Sequence, residues 1–200
     1  GEIYVYGVRN PQRIFWDPKN GSMFMSDIGQ DTVEEISPVT AGANLGWNIW
    51  EGSFKFVSGR GGVNTTEPRK DPKVTFPVAE YGQLDPLLQP NSAAIGGLVY
   101  RHTRIPQLTN LLLFGDNPSG EIFYINADNL PEGGQDPIHR ILLNDNGVSK
   151  TYLQVIKEKN AAQGKPPATR ADLRFAEGPD GQIFLLNKRD GTIRLLIPGQ

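Results

Sequence analysis

Four groups of polar residues in this sequence have the types and spacing to do chemistry. The first is Arg9-Asn10, which follows a strand-like run and precedes Pro11, a residue that disfavours helix just before it. A guanidinium there has two uses. It grips a ligand carboxylate as a two-pronged fork, or it pairs with Asp27 or Glu34 and clamps neighbouring strands. The second group is Asp27, Gly29, Gln30, Asp31, Glu34 and Glu35. Hard cations such as calcium take oxygen ligands, main-chain carbonyls included. The competing reading makes Asp31 a turn cap and Glu34-Glu35 the solvated start of a strand. The third group is Asp116-Asn117, in a Pro118-Ser119-Gly120 turn. Asp116 either ligates a metal, with Asn117, Asn91 and Asp27 as further oxygen donors, or caps the turn. The fourth is Arg170, Asp172 and Arg174, either two anion-binding guanidiniums or an ordinary strand-edge ion pair.

Other chemistries are excluded or disfavoured. The chain has no cysteine, so disulfides and thiolate metal sites are absent. It has two histidines, His102 and His139, too few for a polyhistidine metal site. His102, just after a strand, reads as a surface or turn residue. No Ser-His-Asp order, nucleophile elbow or phosphate loop occurs. A net charge of -2 gives no reason to expect nucleic acid or an anionic membrane surface as partner. No apolar run is long enough for a membrane-spanning helix, and residue 1 opens in a strand-like run without signal-peptide features.

These residues must be positioned by strands. The 200 residues include 23 glycines and 16 prolines, a composition that suits short strands joined by tight turns. The period-two runs predict strands at 3–8, 13–16, 23–26, 35–39, 97–101, 111–115, 122–126, 141–143, 151–156, 173–177, 183–187 and 193–197. A weak repeat, Gly-x-(Met/Ile)-Phe, begins at Gly21, Gly120 and Gly181. It reads as one inner hairpin per blade of a β-propeller, with insertions between blades. The main insertion is expected over 51–91. Others are expected at 126–137 and 157–170, the last with a short helix near 157–163.

The motifs Gly7-Val8-Arg9-Asn10-Pro11-Gln12, Trp16-Asp17-Pro18, Ser26-Asp27-Ile28-Gly29-Gln30-Asp31, Glu34-Glu35-Ile36 and Gly42-Ala43-Asn44-Leu45-Gly46-Trp47 together resemble the glucose/sorbosone dehydrogenase family. Its sugar-oxidising members are six-bladed β-propellers that use pyrroloquinoline quinone (PQQ) and calcium. The resemblance extends through Gly96-Gly97-Leu98-Val99-Tyr100-Arg101 and Leu112–Gly120, where it leans towards the hedgehog-interacting-protein-like branch, and more loosely through 170–198. It implies that Arg9 and Asn10 contact the quinone, that the Gly29 and Gln30 carbonyls bind calcium, and that Arg170 or Arg174 supplies a further quinone contact. At the place of the family's quinone-binding lysine this chain has Asn117-Pro118. The family's catalytic histidine lies upstream of the Arg9 motif. The Gly42–Trp47 element reads as structural, with Trp47 packed between sheets.

The expectation is therefore an all-β chain of six-bladed propeller type with about three to four blades. They are divided as a blade at 1–50, the insertion at 51–91, a blade at 92–145 and a last blade at 146–200. The implied reaction oxidises an aldose C1 hydroxyl to a lactone. Two alternatives stay open: a calcium-dependent lactonase on the same scaffold, and a non-catalytic binding propeller. The expected partner molecule is a small sugar or lactone, and the expected location is periplasmic or secreted. An open part-ring has bare lateral faces, with Phe15, Trp16, Phe123 and Phe184 as candidates for them. A homodimer, or a longer chain of which this is part, is expected to cover them.

Overall fold

The computed structural model describes residues 1–59, 61–88 and 90–199. Its frame is three antiparallel sheets. The first contains β1 (Pro11–Trp16), β2 (Met23–Asp27) and β3 (Val33–Val39). A small sheet of β4 (Trp50–Glu51), β5 (Phe54–Phe56) and β6 (Val63–Asn64) comes next, and β7 (Ala79–Gly82) then returns to complete the order β1-β2-β3-β7. The second sheet runs β8 (Ala94–Tyr100), β9 (Leu111–Asp116), β10 (Ile122–Asn126) and β11 (His139–Ile141) in spatial sequence. A hairpin of β12 (Leu143–Asp145) and β13 (Val148–Lys150) leads to helix α1 (Tyr152–Ala162). The third sheet is β14 (Arg174–Glu177), β15 (Ile183–Leu186) and β16 (Arg194–Leu195).

Side-chain alternation along each strand stacks these sheets. Phe15, Phe24, Ile36 and Tyr81 of the first sheet meet Val99, Leu112, Phe114, Phe123 and Ile125 of the second. The opposite face of the second sheet sends Ile95, Leu98, Tyr100, Leu113 and Ile122 against Tyr152 and Ile156 of α1 and Phe175, Ile183 and Leu185 of the third sheet. Leu112 and Phe114 thus face one neighbour and Leu113 the other, as period two demands. Burying one such side chain contributes about 1.5–3 kcal/mol. The first strands converge, with β8 packed between β1 and β14.

Several sequence expectations are corrected. Residues 151–156 are the cap and first turns of α1, not a strand. Thr151 Oγ1 accepts the Gln154 N–H while Gln154 Oε1 accepts the Thr151 N–H, a capping box. Tyr152, Ile156 and Asn160 fall four apart on one buried face. Residues 3–8 make only a bridge, Tyr6 to Asn44, because the segment pairs with a loop, donating Tyr6 N–H to Ala43 O and accepting Leu45 N–H at Tyr6 O. The expected strand 141–143 is divided between β11 and β12, and Leu142 between them is exposed. The stretch 51–91 carries β7, which belongs to the first sheet. The repeat is irregular for a topological reason. Gly21 and Gly181 turn first strands into second strands, whereas Gly120 turns β9 into β10, one strand further out. All three have the positive φ a tight turn needs, +74°, +75° and +72° in the order Gly21, Gly120, Gly181. Phe15 and Phe123, expected on bare faces, are buried between the first two sheets, while Trp16 is 57% exposed.

Candidate cofactor and cation site

Asp27 closes β2 and is buried. Its two carboxylate oxygens accept the main-chain N–H groups of Arg9 at 2.8 Å and Asn10 at 2.6 Å. They fix the chain where it enters β1. Burial pushes the Asp27 carboxyl up, and these two N–H groups oppose the rise. The Arg9 guanidinium lies across the loop after β2. Its Nη1 donates to Ile28 O at 2.9 Å, its Nε donates to Gln30 Oε1 at 2.9 Å, and its Cζ stands 5.9 Å from the centre of the Trp47 ring. The alternative reading, an ion pair with Asp27 or Glu34, is therefore not made: Asp27 takes the main-chain N–H groups of Arg9 and Asn10, and Glu34 is engaged by Gln83 and Ala94. Trp47 is also corrected: it is half-buried and packs against Phe56 in a tilted ring pair, centroids 4.9 Å apart, beside Arg9, not between sheets. The Asn10 side chain is exposed.

The loop itself is shaped from behind by Glu51. Its Oε1 accepts the N–H groups of Asp31, Thr32 and Val33 at 3.0, 2.7 and 2.9 Å. Gly29 has no room for a side chain: a methyl there would sit 1.8 Å from Val33 O and 2.7 Å from Glu51 Oε1. The Gly29 and Gln30 carbonyls accept no main-chain hydrogen bond among the described residues. Behind the loop lie four buried acids, Asp27, Glu35, Glu51 and Glu80. Burial, with the charges of Asp27, Glu80 and Glu51, pushes Glu35 well above the usual carboxylate range. Glu80 is satisfied by the N–H groups of Ser53 and Gly134, but among the described residues Glu35 Oε2 and Glu51 Oε2 have no partner. The expected solvated strand start at Glu34-Glu35 is thus a buried one, because β7 and the 50–53 turn cover β3. Among the described residues no three His, Cys, Asp or Glu side chains are grouped closely enough to hold a metal. A cation at this loop would need main-chain oxygens as well.

A second network connects this loop to the next sheet. Glu34 is fully buried, with Oε1 accepting from Gln83 Nε2 and Oε2 from Ala94 N–H, both at 2.7 Å. Burial, reinforced by the nearby Asp116 charge, pushes its carboxyl up to about 7, although the Gly29 N–H also stabilises the charged form. Asp116 is engaged at both oxygens. Oδ2 accepts Ala93 N–H at 2.7 Å, Ser92 Oγ at 3.0 Å and Tyr81 OH at 3.4 Å, and Oδ1 accepts Ser119 N–H at 2.9 Å and Ser119 Oγ at 2.7 Å. This is the cap arrangement, and a metal here would have to displace those donors. Asn117 accepts from Arg170 Nη2 at 2.7 Å and donates to Leu173 O at 3.0 Å. Arg170 Nε and Arg189 Nε both lie 2.5 Å from Asp172. Arg174 is half-buried and donates to Leu173 O at 2.8 Å. Asn91 and Asp31 are exposed. His102 packs against Tyr100 and Gly181, and His139 stacks on Tyr124.

The structure therefore brings Arg9, Asn10, Asp27, Gly29 and Gln30 together. It places Asp116, Asn117 and Arg170 in a separate network that reaches them through Glu34. Glu51 and Glu80 were not singled out from the sequence. Their signal was an acid flanked by apolar residues, Trp50-Glu51 and Ala79-Glu80-Tyr81.

The model of the Glucose / Sorbosone dehydrogenase family matches residues 1–197. The chain belongs to the glucose/sorbosone dehydrogenase family. Two Arabidopsis thaliana relatives are HIPL1 protein, 37% identical over 119 residues, and HIPL2 protein, 34% identical over 118. Each match covers 58% of this chain, and 17% and 16% of the relatives. Among solved structures, the apo form of the soluble aldose sugar dehydrogenase from Escherichia coli superposes with a TM-score of 0.58 at 19% identity, covering 97% of this chain and 46% of that one. The PQQ-bound aldose sugar dehydrogenase from Streptomyces coelicolor gives 0.54 at 19% identity, covering 96% and 44%. The chain shares their fold and spans less than half of each of them.

Proposed function

We propose that this chain forms part of the cofactor wall of a PQQ-dependent aldose dehydrogenase, which oxidises a sugar C1 hydroxyl to a lactone. The observation that carries the reading is the Arg9 guanidinium held over the 28–30 main chain, in front of two orphaned buried carboxylate oxygens, Glu35 Oε2 and Glu51 Oε2. The donor chemistry fits both groups. Carbonyls backed by negative charge suit calcium, and a guanidinium beside an exposed amide suits a quinone carboxylate. When bound, PQQ supplies the hydride acceptor. Arg9 and Asn10 would hold it and the Gly29 and Gln30 carbonyls would hold calcium, while Asp27 and Glu51 keep the loop in shape. Among the described residues Arg174 donates one side-chain hydrogen bond, to Leu173 O, which leaves it further N–H groups for a ligand. Arg170 and Asp116 are committed to protein partners and act as supports. Neither histidine stands at this site, and we assign no catalytic base.

We place the three sheets as successive blades of a six-bladed ring, completed by further sequence or by a second copy. Exposed Ile14 and Trp16 on β1 are the apolar residues such a neighbour would cover. A periplasmic or secreted setting suits a small sugar as substrate; among the described residues no helix is long and apolar enough to cross a membrane.

Equilibrium binding tests the reading without needing turnover. Millimolar calcium is expected to raise the melting temperature, because a ligand that binds only the native state stabilises it by mass action. PQQ with calcium is expected to shift the quinone absorption and raise the melting temperature further. No shift with either would reject the proposal. Lactone hydrolysis that needs calcium and ignores PQQ would replace it with the lactonase reading.

A further inference from the structure

The small sheet between β3 and β7 has two faces, and only one of them serves the Arg9 loop. Side chains alternate along β4. Glu51 accepts the N–H groups of Asp31, Thr32 and Val33, while Trp50 lines a cavity of about 260 Å³. The next strand, β5, divides in the same way. Phe56 packs against Trp47 beside Arg9, and Lys55 lines the cavity. Trp50, Lys55 and Asn64 are cross-strand partners on β4, β5 and β6. They form one row across the sheet, about 10 Å from first to last. Ile49, Glu67, Lys70 and Asp71 complete the wall.

Part of this lining is committed to the protein and part is not. Asn64 Oδ1 accepts Thr66 N–H at 2.9 Å and Thr66 Oγ1 at 2.8 Å, which leaves the amide nitrogen as its donor. Asp71 Oδ1 accepts Lys73 N–H at 2.9 Å, which leaves Oδ2 as an acceptor. Lys70 is paired with Glu67. Among the described residues Lys55 has no hydrogen-bond or ion-pair partner. Ile49 is 60% exposed and supplies an apolar surface. The two lysines balance Glu67 and Asp71, so the cavity favours a ligand without net charge. Exposed charges contribute little singly. Affinity here has to come from several hydrogen bonds combined with apolar contact. A pyranose ring offers both, with hydroxyls around its rim and C–H groups on its faces.

We propose that this cavity binds a neutral sugar, a single pyranose or the terminal unit of a saccharide, at a site separate from the Arg9 loop. Lys55 and Asn64 donate to ring hydroxyls and Asp71 Oδ2 accepts from one. Ile49 and Trp50 pack on the C–H groups. The site needs neither quinone nor calcium, and it stands or falls independently of the Arg9 loop.

Ligand titration followed by NMR on the intact chain tests this, with methyl α-D-glucopyranoside as the probe. Its C1 oxygen is blocked, so it cannot be oxidised there. The titration is run with and without calcium and PQQ, and the same saturable binding is expected in both. L-leucine, which carries both charges on an apolar body, and D-glucuronate are titrated as competitors and are expected to bind more weakly. Lys55→Ala and Asn64→Ala change exposed side chains and should melt like the parent. Each should weaken the glycoside about 5-fold. Asp71→Asn keeps the Oδ1 acceptor of the turn and should weaken it by a similar factor. Arg9→Ala should leave glycoside binding unchanged, and Lys55→Ala should leave PQQ binding unchanged, so failure of the quinone reading and failure of this site give different results. The proposal is overturned if the glycoside does not bind saturably, if L-leucine or D-glucuronate binds more tightly, if binding requires PQQ, or if the Lys55 and Asn64 variants bind like the parent.

Discussion

The loop after β2 and the turn after β9 occupy the same place in successive sheets. Asp27 lies opposite Pro11 at the start of β1, and Asp116 lies opposite Ala94 at the start of β8. Each aspartate is buried and accepts N–H groups from the chain entering its own first strand, Arg9 and Asn10 in one case and Ala93 in the other. Beyond the aspartate the two chain paths diverge. After Asp116 the chain closes on itself within a few residues, with Gly120 N–H on Asp116 O and Asp116 N–H on Glu121 O. After Asp27 it opens into a longer loop held from behind by Glu51, with Arg9 laid over it. An aspartate at this position is thus architecture in both sheets. The capacity to bind lies in what the first loop leaves unengaged: two main-chain carbonyls and part of a guanidinium.

The largest expected effect comes from removing the shared element. Asp116→Ala deprives five donors of their acceptor, and Asp27→Ala deprives two. Unsatisfied buried donors are costly, so we expect losses of about 4 kcal/mol for the first and about 2 kcal/mol for the second in denaturant unfolding. Equal losses would mean that the two aspartates do not share the role assigned here. A smaller loss at Asp116 than at Asp27 would reverse the comparison.

Glu34 joins the two regions, and its titration gives the next effect. Its folded pKa, about 7, lies above the ordinary 4.5. Below 4.5 both folded and unfolded states bind the proton. Between the two values the folded state holds a proton the unfolded state has released. The stability from this group is therefore fully present below 4.5 and lost as pH rises through about 7. It amounts to about 3 kcal/mol. Asp27, Glu35 and Asp116 are raised too and slope the same way. Asp17 and Asp190 are lowered, so their losses fall at pH below 3.8, outside this window. The melting temperature should decline from pH 5 to pH 8, and Glu34→Gln should flatten part of the decline. A flat or rising profile in the parent would show that Glu34 is charged and stabilised at neutral pH.

The same contrast explains what the sequence made legible. The strands β2, β9, β10 and β15 were readable because each is a short apolar run bounded by Gly, Asp or Asn. The residues of the Arg9 loop were readable because several motifs fall together with fixed spacing. Helix α1 was readable only in its second half, near 157–163; its first turns were not, since only Tyr152, Ile156 and Asn160 mark its buried face and the alternating residues of 151–156 mimic a strand. Glu51 and Glu80 were not, because a carboxylate that caps a distant loop looks locally like any turn acid. Their partners lie 18–20 and 27–54 residues away. Arg170 was placed with the ligand-binding arginines by the family resemblance, yet Asp172 and Asn117 take it.

Arg9 gives the smallest effect on the fold and the sharpest test of what distinguishes the first loop. Among the described residues its guanidinium makes two hydrogen bonds, one of them exposed, and no ion pair. Contacts of that kind at a half-exposed position contribute little, about 0.5 kcal/mol. The Asp27 contacts go to the Arg9 main chain and survive truncation. Arg9→Ala should therefore leave the denaturation midpoint almost unchanged. If the guanidinium grips a carboxylate of the quinone, the same variant should weaken PQQ binding by about 1.5–3 kcal/mol, the range for a charged hydrogen bond. If Arg9 only braces the 28–30 loop, calcium binding and stability should fall together and the quinone should show no separate loss. Measuring the unfolding midpoint, calcium affinity and PQQ affinity on one variant separates these cases. A loss confined to PQQ would tie function to the group the first loop leaves unengaged; a loss confined to stability would make this loop as purely architectural as the turn after β9.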